Sequence, residues 1–224
     1  SSFEKVLDRA SGIGAGDSEA VASLMDALWV SGFSMVIAGT SAPASGGEHL
    51  WSHRLDMARH DQGLPPLALH GTQVGVACGL VQPLFHSVSS MDSGDVHKAL
   101  QGAGEEPAPG SEDFEKWLET RHPDLGAGSL KAVNQEAARK YDLVARERVR
   151  MGLARSWAEV RHELGIAQEH AARVGEALSL AGAASVPADL GMEEAEAQRI
   201  LGVCRDIRDR LTILDLAAAM GTLL

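Results

Sequence analysis

The sequence is poor in aromatic residues and in cysteine, and both shortages narrow the folds that it can adopt. Aromatic residues make up 4% of the 224 residues, whereas hydrophobic residues together make up 45%. Alanine, leucine, valine and methionine must therefore fill the core, a composition that favours packed helices over sheets. Cys78 and Cys204 lie in apolar surroundings without a CxxC partner, so we interpret them as buried free thiols and not as a disulfide framework.

Positive charge and long apolar runs are also scarce. The net charge is -11 and the isoelectric point is about 5.2, which argues against nucleic-acid binding and favours a cytoplasmic protein. We find neither an uninterrupted apolar run of the about 18 residues that a membrane span requires nor the pattern of a signal peptide. The sequence therefore predicts no membrane-spanning segment.

Apolar residues at spacings of three and four predict helices along most of the chain, and alternating strand patterns are almost absent. The predicted fold is all-α, a multi-helix array in a single domain over residues 1–224. The first main helix is expected to start at residue 17 and to break at 31–32, and two others are expected over 48–61 and 70–89. Two long helices are expected within 129–180, and a last one begins near 206. Glycines at 71, 75 and 79 are expected to allow close approach of another helix to the buried helix 70–89.

Three histidines form the most distinctive group of side chains. His49 and His53 are four residues apart and share one face of a helix, and His70, just before Gly71, opens the next helix and can close on the same point. Neutral imidazole is a good ligand for zinc, nickel and ferrous iron. Nine histidines in 224 residues also give such pairs by chance, so spacing alone leaves a metal site and an incidental pair both open.

Other polar features are interpreted as structural. His60 is expected near the polar end of its helix and His86 at the end of an apolar one, and surface or capping positions are expected for the other four: His97, His122, His162 and His170. The cationic faces near residues 146–155 are interpreted as solvated helix surface: Arg146, Arg148, Arg150 and Arg155. The glycine-rich residues 12–16 follow no apolar strand, so we reject them as a dinucleotide loop and assign no cofactor-binding residue.

Three segments resemble the glycerol-1-phosphate dehydrogenase family, a branch of the iron-containing alcohol dehydrogenase and dehydroquinate synthase superfamily. They are residues 41–53 (SAPASGGEHLWSH), 70–75 (HGTQVG) and 212–216 (TILDL), and the helix before the first of them, ending at residues 28–32, also fits. The resemblance implies a helical C-terminal domain that binds metal and substrate. It further implies that His49 and His70 are ligands of a divalent metal, zinc with nickel or iron as alternatives, and that His53 contacts a small phosphorylated substrate.

The same resemblance leaves parts of the family pattern outside this sequence. The family's third ligand is an aspartate further upstream than the 48 residues that precede His49, and Asp17 follows a glycine at the wrong distance. We therefore expect an N-terminal dinucleotide-binding domain to be absent from this chain, NAD(P) to bind only through that domain, and metal to bind weakly here. On this interpretation the chain is the C-terminal half of an NAD(P)-linked glycerol-1-phosphate dehydrogenase and is inactive alone.

Two alternatives to that function stay open at the level of sequence. One is a related polyol dehydrogenase or dehydroquinate-synthase-like enzyme, and the other is a catalytically inactive, stand-alone helical domain. A homo-oligomer is compatible with each of them.

Overall fold

The computed structural model describes residues 2–102 and 106–223, which form eleven α-helices and contain no strand. The predicted all-α fold is therefore confirmed. The helices are α1 (Ser2–Asp8), α2 (Ala10–Gly14), α3 (Ser18–Ala38), α4 (Gly47–Asp61), α5 (His70–Ser89), α6 (Ser93–Gly102), α7 (Glu112–Arg121), α8 (Ala127–Lys140), α9 (Leu143–Leu180), α10 (Glu194–Val203) and α11 (Ile213–Ala219). Short 3-10 turns cover Ala42–Ala44, Pro187–Leu190 and Cys204–Ile207.

Helix α3 begins where the sequence predicts and continues past its expected break. The Asp17 carboxylate accepts a hydrogen bond of 2.8 Å from the backbone N–H of Ala20, which caps the first turn. The helix then passes through Gly32, because one helical glycine costs only about 1 kcal/mol and longer helical periodicity outweighs it. Gly39, with a φ of 65°, adopts the left-handed conformation that ends α3.

Much of the apolar side of α3 is uncovered in the structure. The exposed fraction is 64% for Trp29, 60% for Phe33 and 87% for Ile37. By length and composition α3 could cross a membrane, and only 11% of its apolar window is buried inside the fold. Helices α5 and α6 meet the same test only when they are taken together as one span bent by 107°. The expectation concerned an uninterrupted apolar run, which Asp26 and several serines break in α3, so the lack of a membrane-spanning segment stays a prediction.

Helix α5 lies at the centre of the fold, against α4, α9 and α11. A Cβ atom on Gly75 would lie 2.8 Å from the carbonyl oxygen of Ala184, and one on Gly79 would lie 2.6 Å from that of Ser185. The backbone after α9 therefore passes so close to α5 at these two positions that only glycine fits there. A close approach therefore occurs at these two glycines, but the contacting segment is the loop after α9 and not the helix that was expected. Among the described residues, no atom from another part of the chain lies within 4 Å of a Cβ on Gly71.

A buried polar network joins α4, α7, α8 and the 3-10 turn at 204–207. The Asp206 carboxylate is fully buried and accepts hydrogen bonds from Arg121 Nε (2.7 Å), His122 Nε2 (3.1 Å) and the Tyr141 hydroxyl (2.6 Å). Arg54 Nε donates to His122 Nδ1 at 2.9 Å. The surface position predicted for His122 is therefore wrong, because these two partners satisfy both ring nitrogens and permit burial. The alternative of a capping position is confirmed, since His122 is the C-cap residue of α7.

The C-terminal region differs in one respect from the predicted helices. The two long helices expected within 129–180 are confirmed as α8 and α9, the latter kinked at Ser156. The final helix does not begin near residue 206, since Cys204–Ile207 is a 3-10 turn and α11 begins only at Ile213. Thr212 and Asp215 form a capping box there, which satisfies the first N–H groups of α11.

Candidate functional site

Helices α4 and α5 bring the three predicted site histidines together. The ring centroid of His70 lies 5.2 Å from that of His49 and 5.2 Å from that of His53, while the two histidines of α4 are 6.5 Å apart. His49 occupies the first turn of α4, and His70 is the first residue of α5, so the two helices begin side by side. His49 and His53 are half-buried, and His70 is exposed.

The tautomer of His70 is set by a buried serine. Ser52 Oγ lies 2.9 Å from His70 Nδ1 and donates its only proton to Gln73 Oε1 at 2.6 Å. The orientation of the Gln73 amide is fixed in turn, because its Nε2 donates to Asp56 Oδ1 at 2.9 Å. Ser52 must therefore accept a hydrogen bond from His70 Nδ1–H, which leaves the lone pair of His70 Nε2 free.

His49 is oriented by the residue before it. Its Nδ1 lies 2.9 Å from Glu48 Oε1, and because an ionised carboxylate only accepts, His49 donates through Nδ1 and keeps Nε2 free. Burial alone would raise the pKa of Glu48, but hydrogen bonds from His49 and from backbone N–H groups, including that of Gly46, lower the pKa below its usual value. Glu48 is therefore ionised at neutral pH and holds the ring in place.

The donor set of this cluster fits part of a metal site. Metal-bound histidines usually donate the other ring N–H to a carboxylate or another polar group, and both His49 and His70 do so here. A catalytic zinc site commonly uses three protein ligands. Within residues 2–102 and 106–223, no group of three or more His, Cys, Asp or Glu side chains is arranged to hold a metal ion. The cluster therefore offers two imidazole donors, short of a full protein ligand set.

His53 differs from the other two histidines in its electrostatic surroundings. Burial lowers its pKa, and the neighbouring His70 and the guanidinium of Arg208 lower the pKa further. A neutral His53 imidazole can both donate and accept a proton in a hydrogen bond. Arg208 is exposed, so a cationic group stands beside the imidazoles with its charge open to solvent.

Comparison with curated proteins gives relatives that carry one name, glycerol-1-phosphate dehydrogenase [NAD(P)+]. The protein from Haloquadratum walsbyi is 37% identical over 147 residues, covering 60% of this chain and 40% of the relative. That from Bacillus licheniformis is 30% identical over 52% of this chain and 29% of its own length, and that from Pyrococcus furiosus is 41% identical over 39% and 24%. The chain thus spans 40% or less of these relatives.

The resemblance to glycerol-1-phosphate dehydrogenases is thereby confirmed. No family model matches the chain, and no solved structure does. The name carried by these relatives describes whole dehydrogenases that use NAD(P), whereas the roles of His49, His53 and His70 in this chain remain predictions.

Several polar residues around the histidine cluster were not singled out from sequence. Ser52 and Gln73 each lie three residues after a site histidine and are fully buried. A spacing of three places each of them on the same helix face as the histidine before it, in helices whose buried faces are otherwise largely apolar. That combination of spacing and apolar context was the available signal. The proximity of Arg208 to His53 had no such signal, since it depends on how the chain folds back after residue 207.

Proposed function

We propose that this chain provides the metal- and substrate-binding part of an NAD(P)-linked glycerol-1-phosphate dehydrogenase, which transfers hydride between nicotinamide and the carbonyl carbon of dihydroxyacetone phosphate. The observation that carries the proposal is the convergence of His49 and His70 with both Nε2 atoms free, in a chain that resembles this family. Nicotinamide binding is assigned to a separate dinucleotide-binding domain. A cytoplasmic location is part of the same proposal.

His49 and His70 would hold a divalent metal, zinc in the first instance, which supplies Lewis-acid polarisation of a substrate carbonyl when bound. The chain's own residues do the positioning. Ser52 keeps the Nδ1 proton of His70 in place, and the Glu48 carboxylate keeps that of His49. In its neutral form each ring would therefore present Nε2 to a ligand without reorganising.

His53 and Arg208 would act on the substrate. A neutral His53 can donate a hydrogen bond to the substrate oxygen on which negative charge develops, and it can pass a proton to that oxygen. Arg208 carries a forked, permanently charged guanidinium suited to the phosphate group of dihydroxyacetone phosphate. The charge of Arg208 acts on the His53 imidazole, and on this proposal one three-carbon phosphate meets both groups.

The proposal is tested on the chain itself with zinc and dihydroxyacetone phosphate. We expect zinc binding, measured by calorimetry, to be lost in a His49→Ala/His70→Ala double variant and kept in His60→Ala, which removes an exposed imidazole near the end of α4. We expect Arg208→Gln to weaken binding of dihydroxyacetone phosphate by about tenfold. Zinc binding that is equal in the double variant and the wild type would refute the metal assignment.

Substrate competition separates the alternatives. Tighter binding of an unphosphorylated polyol than of dihydroxyacetone phosphate would favour a polyol dehydrogenase, and preference for a cyclic or seven-carbon phosphate would favour dehydroquinate-synthase-like chemistry. Binding of neither metal nor any of these substrates would favour an inactive helical domain.

A further inference from the structure

A second cavity lies apart from the histidine cluster, between α6, α8, the first half of α9, the segment 205–211 and α11. Its volume is about 500 Å³, within the range of small-molecule binding sites. None of the three site histidines lines it. It is therefore a separate place to search for a ligand.

The lining of this cavity is cationic, in contrast to the chain as a whole. The net charge of the chain is -11, yet six cationic side chains and three carboxylates face the cavity. The cationic side chains are Arg139, Lys140, Arg146, Arg150, Arg205 and Arg210. A local excess of positive charge in a partly enclosed space raises the local concentration of anions.

Two of the three carboxylates are already shared among several cations. Asp215 Oδ1 lies 2.7 Å from Lys140 Nζ and 3.7 Å from Arg205 Nη1. Glu106 pairs with Arg146 and accepts from Arg205 Nη2 at 3.2 Å. Two further carboxylates that do not line the cavity also take part: Asp206 Oδ1 lies 4.0 Å from Arg205 Nε, and Glu136 pairs with Arg139. Lys140, Arg146, Arg205 and Arg139 are therefore paired with carboxylates, and Arg150 and Arg210 have to be considered separately.

Other cationic groups of the lining are held by neutral acceptors. Arg150 Nη2 donates to the carbonyl oxygen of Leu100, and Arg210 Nη1 donates to that of Ser45 at 3.0 Å. The nearest carboxylate to Arg150, on Glu147, is 3.7 Å away and largely exposed. Arg205 Nε is a buried donor with no hydrogen-bond partner among the described residues. The two backbone carbonyls fix the Arg150 and Arg210 guanidinium groups in place without neutralising their charge, whereas Arg205 is already paired with carboxylates.

The rest of the lining is apolar, so the cavity is not a simple ion site. Leu153 is buried, and Val149 and Leu216 are half-buried in the same wall. A ligand that fills the volume would place an apolar body against these side chains and an anionic group against the arginines.

We propose that this cavity binds an organic oxyanion, a phosphate monoester or carboxylate joined to a compact apolar group. Arginine suits this chemistry because its planar fork pairs with two oxygens of a phosphate or carboxylate at once. The Arg146 and Arg150 positions, interpreted from sequence as solvated helix surface, are on this account part of a binding wall. The site is independent of the function proposed for the histidines.

Calorimetric titration with phenyl phosphate, inorganic phosphate and benzyl alcohol tests this proposal. Phenyl phosphate should bind more tightly than either the bare anion or the uncharged alcohol, because only it engages both parts of the wall. Arg150→Gln and Arg210→Gln should each weaken its binding about tenfold. Arg155→Gln is the matched control, since Arg155 lies on α9 outside the cavity and, like Arg150, donates to a backbone carbonyl.

Two further measurements keep the result attributable to this cavity. Circular dichroism melting curves check that each variant folds, and the His49→Ala/His70→Ala variant should bind phenyl phosphate as the wild type does. Absence of binding to the wild type, equal loss in all three arginine variants, or loss in the histidine variant alone would each overturn the proposal. The last outcome would place the anion at the histidine cluster.

Discussion

Replacing Ser52 with alanine should disrupt the histidine cluster without touching a histidine. Ser52 is fully buried, and its hydroxyl both accepts from His70 Nδ1 at 2.9 Å and donates to Gln73 Oε1 at 2.6 Å. The variant leaves the Gln73 oxygen buried without a donor. An unsatisfied buried polar group costs about 1–3 kcal/mol, so urea denaturation should show a free energy of unfolding lower by that amount.

The same variant should change the protonation pattern of the His70 ring. Without Ser52, nothing at Nδ1 selects the tautomer that leaves Nε2 unprotonated. Long-range nitrogen–proton correlation spectra distinguish the two tautomers, and we expect a mixture in the variant where the wild type shows the Nδ1–H form. Zinc affinity should fall by about 10–100-fold, the usual consequence of losing such a partner.

Ser87→Ala is the matched control for this experiment. Ser87 lies near the end of α5 and donates to the carbonyl oxygen of Pro83 at 3.0 Å, so its loss removes a serine hydroxyl and one hydrogen bond far from the cluster. We expect little change in stability and none in the His70 spectrum. If Ser52→Ala behaved as this control does, the reasoning that connects Ser52 to the tautomer of His70 would be wrong.

Three further predictions concern stability. Asp206→Asn should lower the free energy of unfolding in urea by about 3–5 kcal/mol, because the Arg121, His122 and Tyr141 donors would no longer face a charged carboxylate. A decrease of less than about 1 kcal/mol would contradict the importance of this buried network. Burial would raise the pKa of Asp124, but hydrogen bonds from Arg54 outweigh it and lower the pKa from 3.8 to about 2. Asp124 therefore contributes about 2 kcal/mol to the free energy of unfolding above pH 3.8, and this contribution is lost as the pH falls through about 2. Denaturation at several pH values measures the loss, and an Asp124→Asn variant with the same acid dependence would refute the prediction. Gly79→Ala should destabilise by about 1–3 kcal/mol in thermal melts, because its Cβ would lie 2.6 Å from a backbone oxygen, whereas Gly71→Ala should be nearly neutral; equal effects would contradict the close contact.

Helix positions could be predicted where a capping residue or a long apolar segment marks the helix in the sequence. Asp17 caps α3 and Ser111 caps α7, and the expected helix 70–89 matches α5. The break expected at residues 31–32 was wrong because a serine and a glycine weaken a helix only slightly. The position of the last helix was also wrong, since the extended residues before Thr212 are held by long-range contacts that no local pattern encodes.

The convergence of the three histidines could be predicted from the sequence, whereas the buried polar contacts around them could not. Helical spacing placed His49 and His53 on one face, and the position of His70 at the start of the next helix joined it to them. The family resemblance then implied a role for each histidine. The buried position of His122 was missed because its partners, Arg54 and Asp206, are 68 and 84 residues away in the sequence. A buried polar side chain is permitted only when such partners exist, and one sequence does not reveal which residues will meet.

The side-by-side starts of α4 and α5 also define the electric field at the cluster. Each helix presents the positive end of its macrodipole, equivalent to roughly half an elementary charge, toward the histidines of its first turn. Two such ends together attract anions, so they favour a phosphorylated substrate. The same field opposes a bare dication. The Glu48 carboxylate compensates part of it, and a metal held between these helices would gain from a further anionic ligand.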